Sequence, residues 1–484
     1  MMFNSIEFLI FLPVTFVVYW LLGRRVRWQN LFVVAASYLF YGWWDWRFLL
    51  LIAATSLCSY ASGIAITHPT TRQRNQGLTP KFFLWANIVL NLLILCTFKY
   101  YDFFAQSFAD AFLGGKADHL LLHLVLPVGI SFYTFQALSY SIDVYRGTMK
   151  PTRDVVAFFA YVSFFPQLVA GPIERATSLL PQFEQPRHPD YRQCVDGLRQ
   201  MLWGFFKKMV VADSCALYVD QIFAHPDWFN SPTLLLAAML FSIQIYGDFS
   251  GYSDIAIGCA KLFGIQLRRN FNVPYFSRDI AEFWRRWHIS LTTWFRDYIY
   301  IPLGGSRVSK ERIVFNTFVI FLVSGLWHGA NWTFVAWGAF HALLFLPLIL
   351  LGKNRRYTDT VASQRALPTL RELGGMLLTF FLTAMGWIMF RSASIEQACL
   401  YYTLMFGGLF QGGAPTITAP IDAWVVAMSI ILMTVVEWLN RDQPHEFCRQ
   451  PRNRVIRWTG YIVILFMLGA FMVTKEMPFI YFQF

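Results

Sequence analysis

Apolar residues run along this chain in long blocks, with no sustained strict alternation. A membrane-crossing helix needs about 20 mainly apolar residues. Blocks of that kind begin near Ile6, Trp28, Phe48, Phe82, Leu120, Val155, Leu234, Ile313, Trp332, Leu373, Trp424 and Trp458. Several are short or broken by glycine, proline or charge. The pattern therefore predicts an all-α polytopic membrane protein of about eleven transmembrane helices, with re-entrant or interfacial helices besides. Irregular backbone at membrane depth is tolerated only where protein or a water-filled cavity satisfies it. Interruptions at Gly247–Asp254 and Gly325–Asn331 thus predict a cavity. No tandem repeat, low-complexity tract or soluble domain interrupts the pattern, so residues 1–484 read as a single membrane domain ending in a short tail, 475–484.

Basic residues give the orientation, because they collect on the cytoplasmic side. Arg24, Arg25 and Arg27 follow the first block, and Arg72, Arg74 and Lys81 the third. Lys310, Arg312, Lys353, Arg355 and Arg356 mark further cytoplasmic ends, and Arg449, Arg452, Arg454 and Arg457 precede the last block. Both termini are then expected outside. The N-terminal block has no basic leader and no small-residue cleavage site, so it reads as a retained helix.

Composition sharpens the class. Hydrophobic residues make up 56% of the chain and charged residues 14%, against roughly 25% charged in a soluble domain. The formal charge of +12 is scattered between apolar blocks instead of forming one basic face, which argues against nucleic-acid binding. The seven cysteines contain no C-x-x-C pair, so neither a disulfide framework nor a zinc site is expected.

Chemistry concentrates in two segments. In Arg278–Arg307, Asp279 followed by Glu282 reads as a helix start. Trp284, Trp287, His288, Leu291, Phe295 and Tyr298 then fall on one face of an expected amphipathic helix at the membrane boundary, with Arg285, Arg286 and Asp297 on other faces. On periodicity alone, His288 reads better as a packed helix residue than as a catalyst. In Ser324–His341, basic ends on both sides require the chain to dip and return. His328 lies near the apex, about 23 Å along a helix from Ile313, with Gly329, Ala330 and Asn331 as the turn. An ionisable residue at that depth is a functional candidate, because burying it is costly, and imidazole suits proton transfer near neutral pH. Asp248 and Asp254 sit in an apolar block and are expected to hold a cavity open or to pair with Arg285 or Arg286. The pairs Gly247/Gly251 and Gly325/Gly329 predict close helix contacts. His119 and His123 have the i, i+4 spacing of a metal pair, but with no third ligand they read as a polar helix edge. No Walker, dinucleotide-binding or nucleophile-elbow motif is present.

Six ordered segments resemble the membrane-bound O-acyltransferase family, in its bacterial alginate O-acetylation branch: LPVGISFYTFQALSYSIDVYRG from Leu126, FFPQLVAGPI from Phe164, GFFKKMVVAD from Gly204, YGDFSGYSDIAIG from Tyr246, FWRRWHISLTTWFRDYIYIPLGG from Phe283 and SGLWHGANWTF from Ser324. Teichoic-acid D-alanylation proteins are similar more distantly. The branch pattern often has His where this chain has Gln167, which weakens an assignment to alginate. The resemblance implies a helical bundle around a central funnel. It makes His328 the essential histidine and His288 its supporting partner, with Asp248, Asp254, Arg285, Arg286, Trp327 and Asn331 around the funnel. It further implies acetyl-CoA as the acyl donor with no bound cofactor, and residence in the bacterial inner membrane. The expected acceptor is an extracytoplasmic polysaccharide, reached through a periplasmic SGNH-type acetyltransferase or another acyl-accepting partner. Phe479, Tyr481 and Phe484 resemble a family F-x-Y-x-x-F ending whose Tyr relays the acyl group; an aromatic membrane anchor explains the same residues. Peptidoglycan or cellulose acetylation, a polysaccharide or lipid transporter, and a non-catalytic scaffold are the competing readings.

Overall fold

A computed structural model of the chain describes all residues except 68–78, 116–118, 170, 409–412, 416–420, 450, 474–476, 478 and 481–484. Tyr481, Arg72 and Arg74 therefore lie outside the described residues. The described chain is helical, with no strand among them. Six of its helices are long and apolar enough to cross a membrane: Trp46–Thr67, Pro80–Phe112, Ser231–Leu262, Trp332–Leu350, Leu370–Arg391 and Arg454–Phe471. Ile6–Leu21 and Ala423–Leu439 are shorter apolar helices. This is a multi-pass α-helical membrane protein.

Two compact units emerge, one from residues 1–198 with 256–268, the other from residues 199–255 with 269–484. In the first, the Leu49–Thr67, Pro80–Leu95 and Ile130–Tyr145 helices pack together. Buried polar side chains link them: Asn87 donates to Ser141 Oγ at 2.9 Å, and Ser59 donates to Asn87 Oδ1 at 3.2 Å. Where hydrocarbon offers no competing water, such bonds help fix which faces meet. The block expected near Leu120 begins later, at Ile130. Pro127 and the left-handed Gly129 (φ +74°) delay the helix, since proline cannot extend one and a left-handed residue lies outside it. His119 and His123 consequently lie between the Tyr101–Phe112 and Ile130–Tyr145 helices, and His123 itself has φ +49°. The helix edge expected for them does not form.

In the second unit, two interrupted blocks resolve differently. Ser231–Leu262 is one continuous helix of 32 residues, so the break expected at Gly247–Asp254 is absent. The glycines there serve contact instead. A Cβ on Gly251 would stand 2.7 Å from the Gly204 carbonyl oxygen, and one on Gly247 would stand 3.1 Å from that of Lys207. The expected close approach is real, and the facing strand of helix, Phe206–Ala212, is wound with π geometry. Gly325–Asn331 does break, between Lys310–His328 and Trp332–Leu350. These two helices form a tight hairpin, and a Cβ on Gly325 would meet the Phe334 carbonyl oxygen at 2.2 Å.

Candidate active site

His328 ends the Lys310–His328 helix. The next helix starts after a three-residue turn because Asn331 caps it, its side chain accepting from Thr333 N–H at 3.0 Å and donating to the Ala393 carbonyl at 2.9 Å. Asn331 therefore fixes the turn that follows the histidine. His328 is buried (3% exposed). Around its ring stand Trp327 at 5.0 Å, Trp337 at 5.1 Å and Phe390 at 5.3 Å between centroids, all edge-on.

His288 does not lie on a continuous helix. The expected amphipathic helix splits into Ile280–Arg286 and Ile289–Phe295, and His288 occupies the joint in a left-handed conformation, φ +43° and ψ +54°. Left-handed geometry in a non-glycine residue costs roughly 1–2 kcal/mol, and such strain tends to gather at functional sites. Asp279 caps the first piece as expected, accepting from Glu282 N–H at 2.7 Å. The reciprocal bond shifts by one residue: Glu282 accepts from Arg278 N–H at 2.8 Å. The Arg278 and Arg286 guanidiniums close on the same carboxylate at 3.0 and 2.9 Å. This ion cluster anchors the short helix whose end presents His288.

The two histidines come together, with ring centroids 6.4 Å apart. Trp327 bridges them, 5.7 Å from His288 and 5.0 Å from His328. Both line a cavity of about 50 Å³ together with Trp284, Leu291, Thr292, Phe295, Ile320, Phe321 and Ser324. No carboxylate, lysine or arginine is among these lining residues. His288 is 1% exposed, and neither of its ring nitrogens finds a hydrogen-bond partner on another described residue. Burying an imidazole nitrogen without a partner is costly, so this one is free to bind a reacting group. Two imidazoles facing one small cavity can hold a hydroxyl, remove its proton and bind the oxygen that gains charge.

The remaining expected site residues fall elsewhere. Asp248 and Asp254 do not pair with Arg285 or Arg286. Lys208 holds Asp248 at 2.7 Å and Asp213 at 2.8 Å, while Lys207 holds Asp254 at 2.6 Å. Lys207 also stands 3.9 Å from Glu446, whose other oxygen meets Arg269 at 2.5 Å. Helical geometry explains the correction: Asp248 and Asp254 face the Phe206–Ala212 turn, across which Gly247 and Gly251 allow the close approach. Arg286 belongs to the Glu282 cluster, and the exposed Arg285 donates to the carbonyls of Asn354, at 2.8 Å, and Tyr357. Neither arginine lines the histidine cavity.

Sequence reasoning left three features unassigned. His341 is fully buried, 5.0 Å from Trp284 and 5.0 Å from Trp337; its spacing of four from Trp337 on one helix was the available signal. Ser324 and Thr292 enter the cavity with nothing local to mark them. The adjacent lysines Lys207 and Lys208, inside an apolar run, carried the stronger signal, since ionisable residues in such runs are rare.

Fold and site together define a multi-pass membrane enzyme with a paired-histidine centre. The sequence pattern of the MBOAT, membrane-bound O-acyltransferase family matches residues 152–382. The chain is 41% identical over 411 residues to the probable alginate O-acetylase AlgI of Pseudomonas aeruginosa, covering 84% of this chain and 75% of that protein. It is 35% identical over the full length of both chains to the probable alginate O-acetylase AlgI of Pseudomonas putida. It is also 36% identical to the peptidoglycan O-acetyltransferase of Helicobacter pylori, covering 82% and 78% of the two chains. The chain belongs to the membrane-bound O-acyltransferase family, and it is an O-acyltransferase.

Proposed function

We propose that this enzyme moves an acetyl group from cytoplasmic acetyl-CoA across the bacterial inner membrane for O-acetylation of an extracytoplasmic polysaccharide of the alginate type. The observation that carries the chemistry is the His288–His328 pair at one carboxylate-free cavity. His328 acts as general base toward an acceptor hydroxyl, and His288, fixed by its strained joint, orients the reacting oxygen. A positioned base of this kind contributes roughly 10²–10⁴-fold. The nucleophilic oxygen attacks the thioester carbonyl, the C–S bond breaks, and the proton held by His328 passes to the leaving thiolate.

The acceptor in this scheme is Tyr481, which passes the acetyl group to a periplasmic SGNH-type transferase and so to the glycan. A phenol has an ordinary pKa of about 10 and needs a base beside it. The basic clusters, from which both termini are expected outside, support transfer in that direction. The names of the relatives favour a wall or capsule glycan as final acceptor, alginate ahead of peptidoglycan by number of relatives. Cellulose rests on the sequence reading alone.

Membranes carrying the protein, incubated with acetyl-labelled acetyl-CoA, test the scheme by mass spectrometry of the peptide that contains Tyr481. Label in wild type that disappears in His328→Ala is the expected result. Label that persists in His328→Ala removes this histidine as the base. Absence of label in both leaves Tyr481 as an anchor and moves transfer directly onto a partner or glycan.

A further inference from the structure

Chain segments beyond a helix end ordinarily fray, yet Met477, Phe479 and Ile480, which follow the Arg454–Phe471 helix, pack against the protein. Phe479 is 0% exposed and Ile480 2%. The Phe479 ring packs on Tyr252 at 4.7 Å and on Phe249 at 5.6 Å. The backbone is held as well. Ile480 N–H donates to Asp248 Oδ2 at 2.7 Å, and the Met477 carbonyl accepts from Lys208 Nζ at 3.3 Å. The other oxygen of Asp248 meets the same ammonium at 2.7 Å. One ion pair thus offers an acceptor and a donor to two main-chain groups three residues apart, whatever side chains the segment carries. Charge-assisted bonds of this kind are about twice as strong as neutral ones.

The clamp adjoins His288 through Phe249. Asp248, Phe249 and Tyr252 are neighbours on one helix, and the edge of Phe249 meets His288 at 4.7 Å. Phe479 and His288 therefore pack against the same ring. Beside the segment lies a small cavity of about 10 Å³, bounded by Lys208, Asp213, Gln244, Asp248, Met477 and Ile480.

We infer that the Lys208–Asp248 pair is a main-chain clamp that docks Met477, Phe479 and Ile480 beside Phe249, and that both residues are positioning residues for acyl transfer. The functional half of this inference rests on the Tyr481 reading above, since Tyr481 follows the docked Ile480 directly. Asp213 completes the clamp by also holding Lys208, at 2.8 Å. Aspartate and lysine are suited to this because they grip backbone: the docked segment needs only an N–H at 480 and a carbonyl at 477.

Amide hydrogen exchange on the full-length protein in detergent reads the docking without reference to chemistry. The Ile480 amide is expected to be protected in wild type and to exchange about 10- to 100-fold faster in Asp248→Ala, the ratio that a hydrogen bond to a charged group corresponds to. Asp248→Asn, which keeps an acceptor oxygen, should restore most of the protection. Ile480→Pro removes the donor from the segment itself and leaves the ion pairs intact, so a folding defect does not obscure it. Its expected result is loss of Tyr481 labelling at an unchanged melting temperature, whereas Ile480→Ala labels normally. Fast exchange in wild type, or equal exchange in Asp248→Ala, overturns the clamp. Full labelling in Ile480→Pro overturns its role in transfer. A protected Ile480 with no label on wild-type Tyr481 defeats the relay and leaves the docking standing.

Discussion

Within residues 199–255 and 269–484, two buried polar regions follow opposite rules. Around Lys207 and Lys208, each charge meets opposite charge: two lysines face Asp213, Asp248, Asp254 and Glu446, with Arg269 behind Glu446. Around His288 and His328, the lining carries no formal counter-charge and is mostly apolar. A buried ion network is rigid because separating any pair leaves a charge uncompensated. Neutral imidazoles in an apolar cavity are tolerable without such partners and keep a proton-accepting nitrogen for a substrate. The contrast is what favours the histidines for the proposed chemistry and the lysines for the proposed positioning. Depth in the chain alone, which makes all of these residues functional candidates, does not separate them.

The comparison breaks most visibly at His328. His328→Ala should lower acetyl transfer by about 10²–10⁴-fold while thermal unfolding in detergent changes little; a large loss of stability with proportionate loss of activity would make the histidine structural. His288→Asn sharpens the same point, because asparagine tolerates left-handed backbone better than other residues with a side chain. Activity should fall while the melting temperature stays near wild type, and full activity would remove His288 from the site.

On the charged side the effects belong to folding. Lys207→Met strands Asp254 beside its remaining partner Gln200, which donates at 2.7 Å, and should destabilise by about 3–5 kcal/mol. Lys207→Met with Asp254→Leu should recover part of that loss in the same unfolding assay. A neutral single variant would show that the network is not what holds this region. Gly251→Ala forces a methyl group toward the Gly204 carbonyl and should cost about 1–3 kcal/mol, measured by chemical denaturation in mild detergent.

The smallest effect belongs to a pair with one exposed partner. The Arg278 hydrogen bond holds the Asp359 carboxyl below its ordinary range. A depressed carboxylate pKa contributes stability above its unfolded value and loses it as pH falls through the folded one. The Asp359 side chain is 63% exposed, so its contribution is at most about 1 kcal/mol. Unfolding of Asp359→Asn should differ from wild type at neutral pH and converge with it in acid; a constant difference would contradict the ion-pair origin.

Legibility in the sequence followed the range of the forces involved. Long apolar blocks specify membrane helices because hydrocarbon leaves each backbone group to be satisfied within its own helix. The Trp332–Leu350, Leu370–Arg391 and Arg454–Phe471 helices accordingly stand close to where the pattern put them. The Asn331 turn was readable for the same local reason. The continuity of Ser231–Leu262 was not, because glycine lowers helix propensity locally while the packed neighbour at Gly204 restores the helix. His288 misled periodicity because the helix breaks at that residue, in a conformation its own sequence disfavours.

The sequence by itself determined an all-helical membrane protein, its turn at Gly329–Asn331 and, through ordered motifs, its family. Those properties arise from hydrophobicity and nearest-neighbour geometry, which are written residue by residue. Tertiary structure alone decided that His288 faces His328, that the aspartates take Lys207 and Lys208 as partners, and that the Ile480 amide meets Asp248, 232 residues away in the chain. Ion pairs and ring contacts between distant segments depend on which helix faces meet, and that choice is made by packing across the fold as a whole.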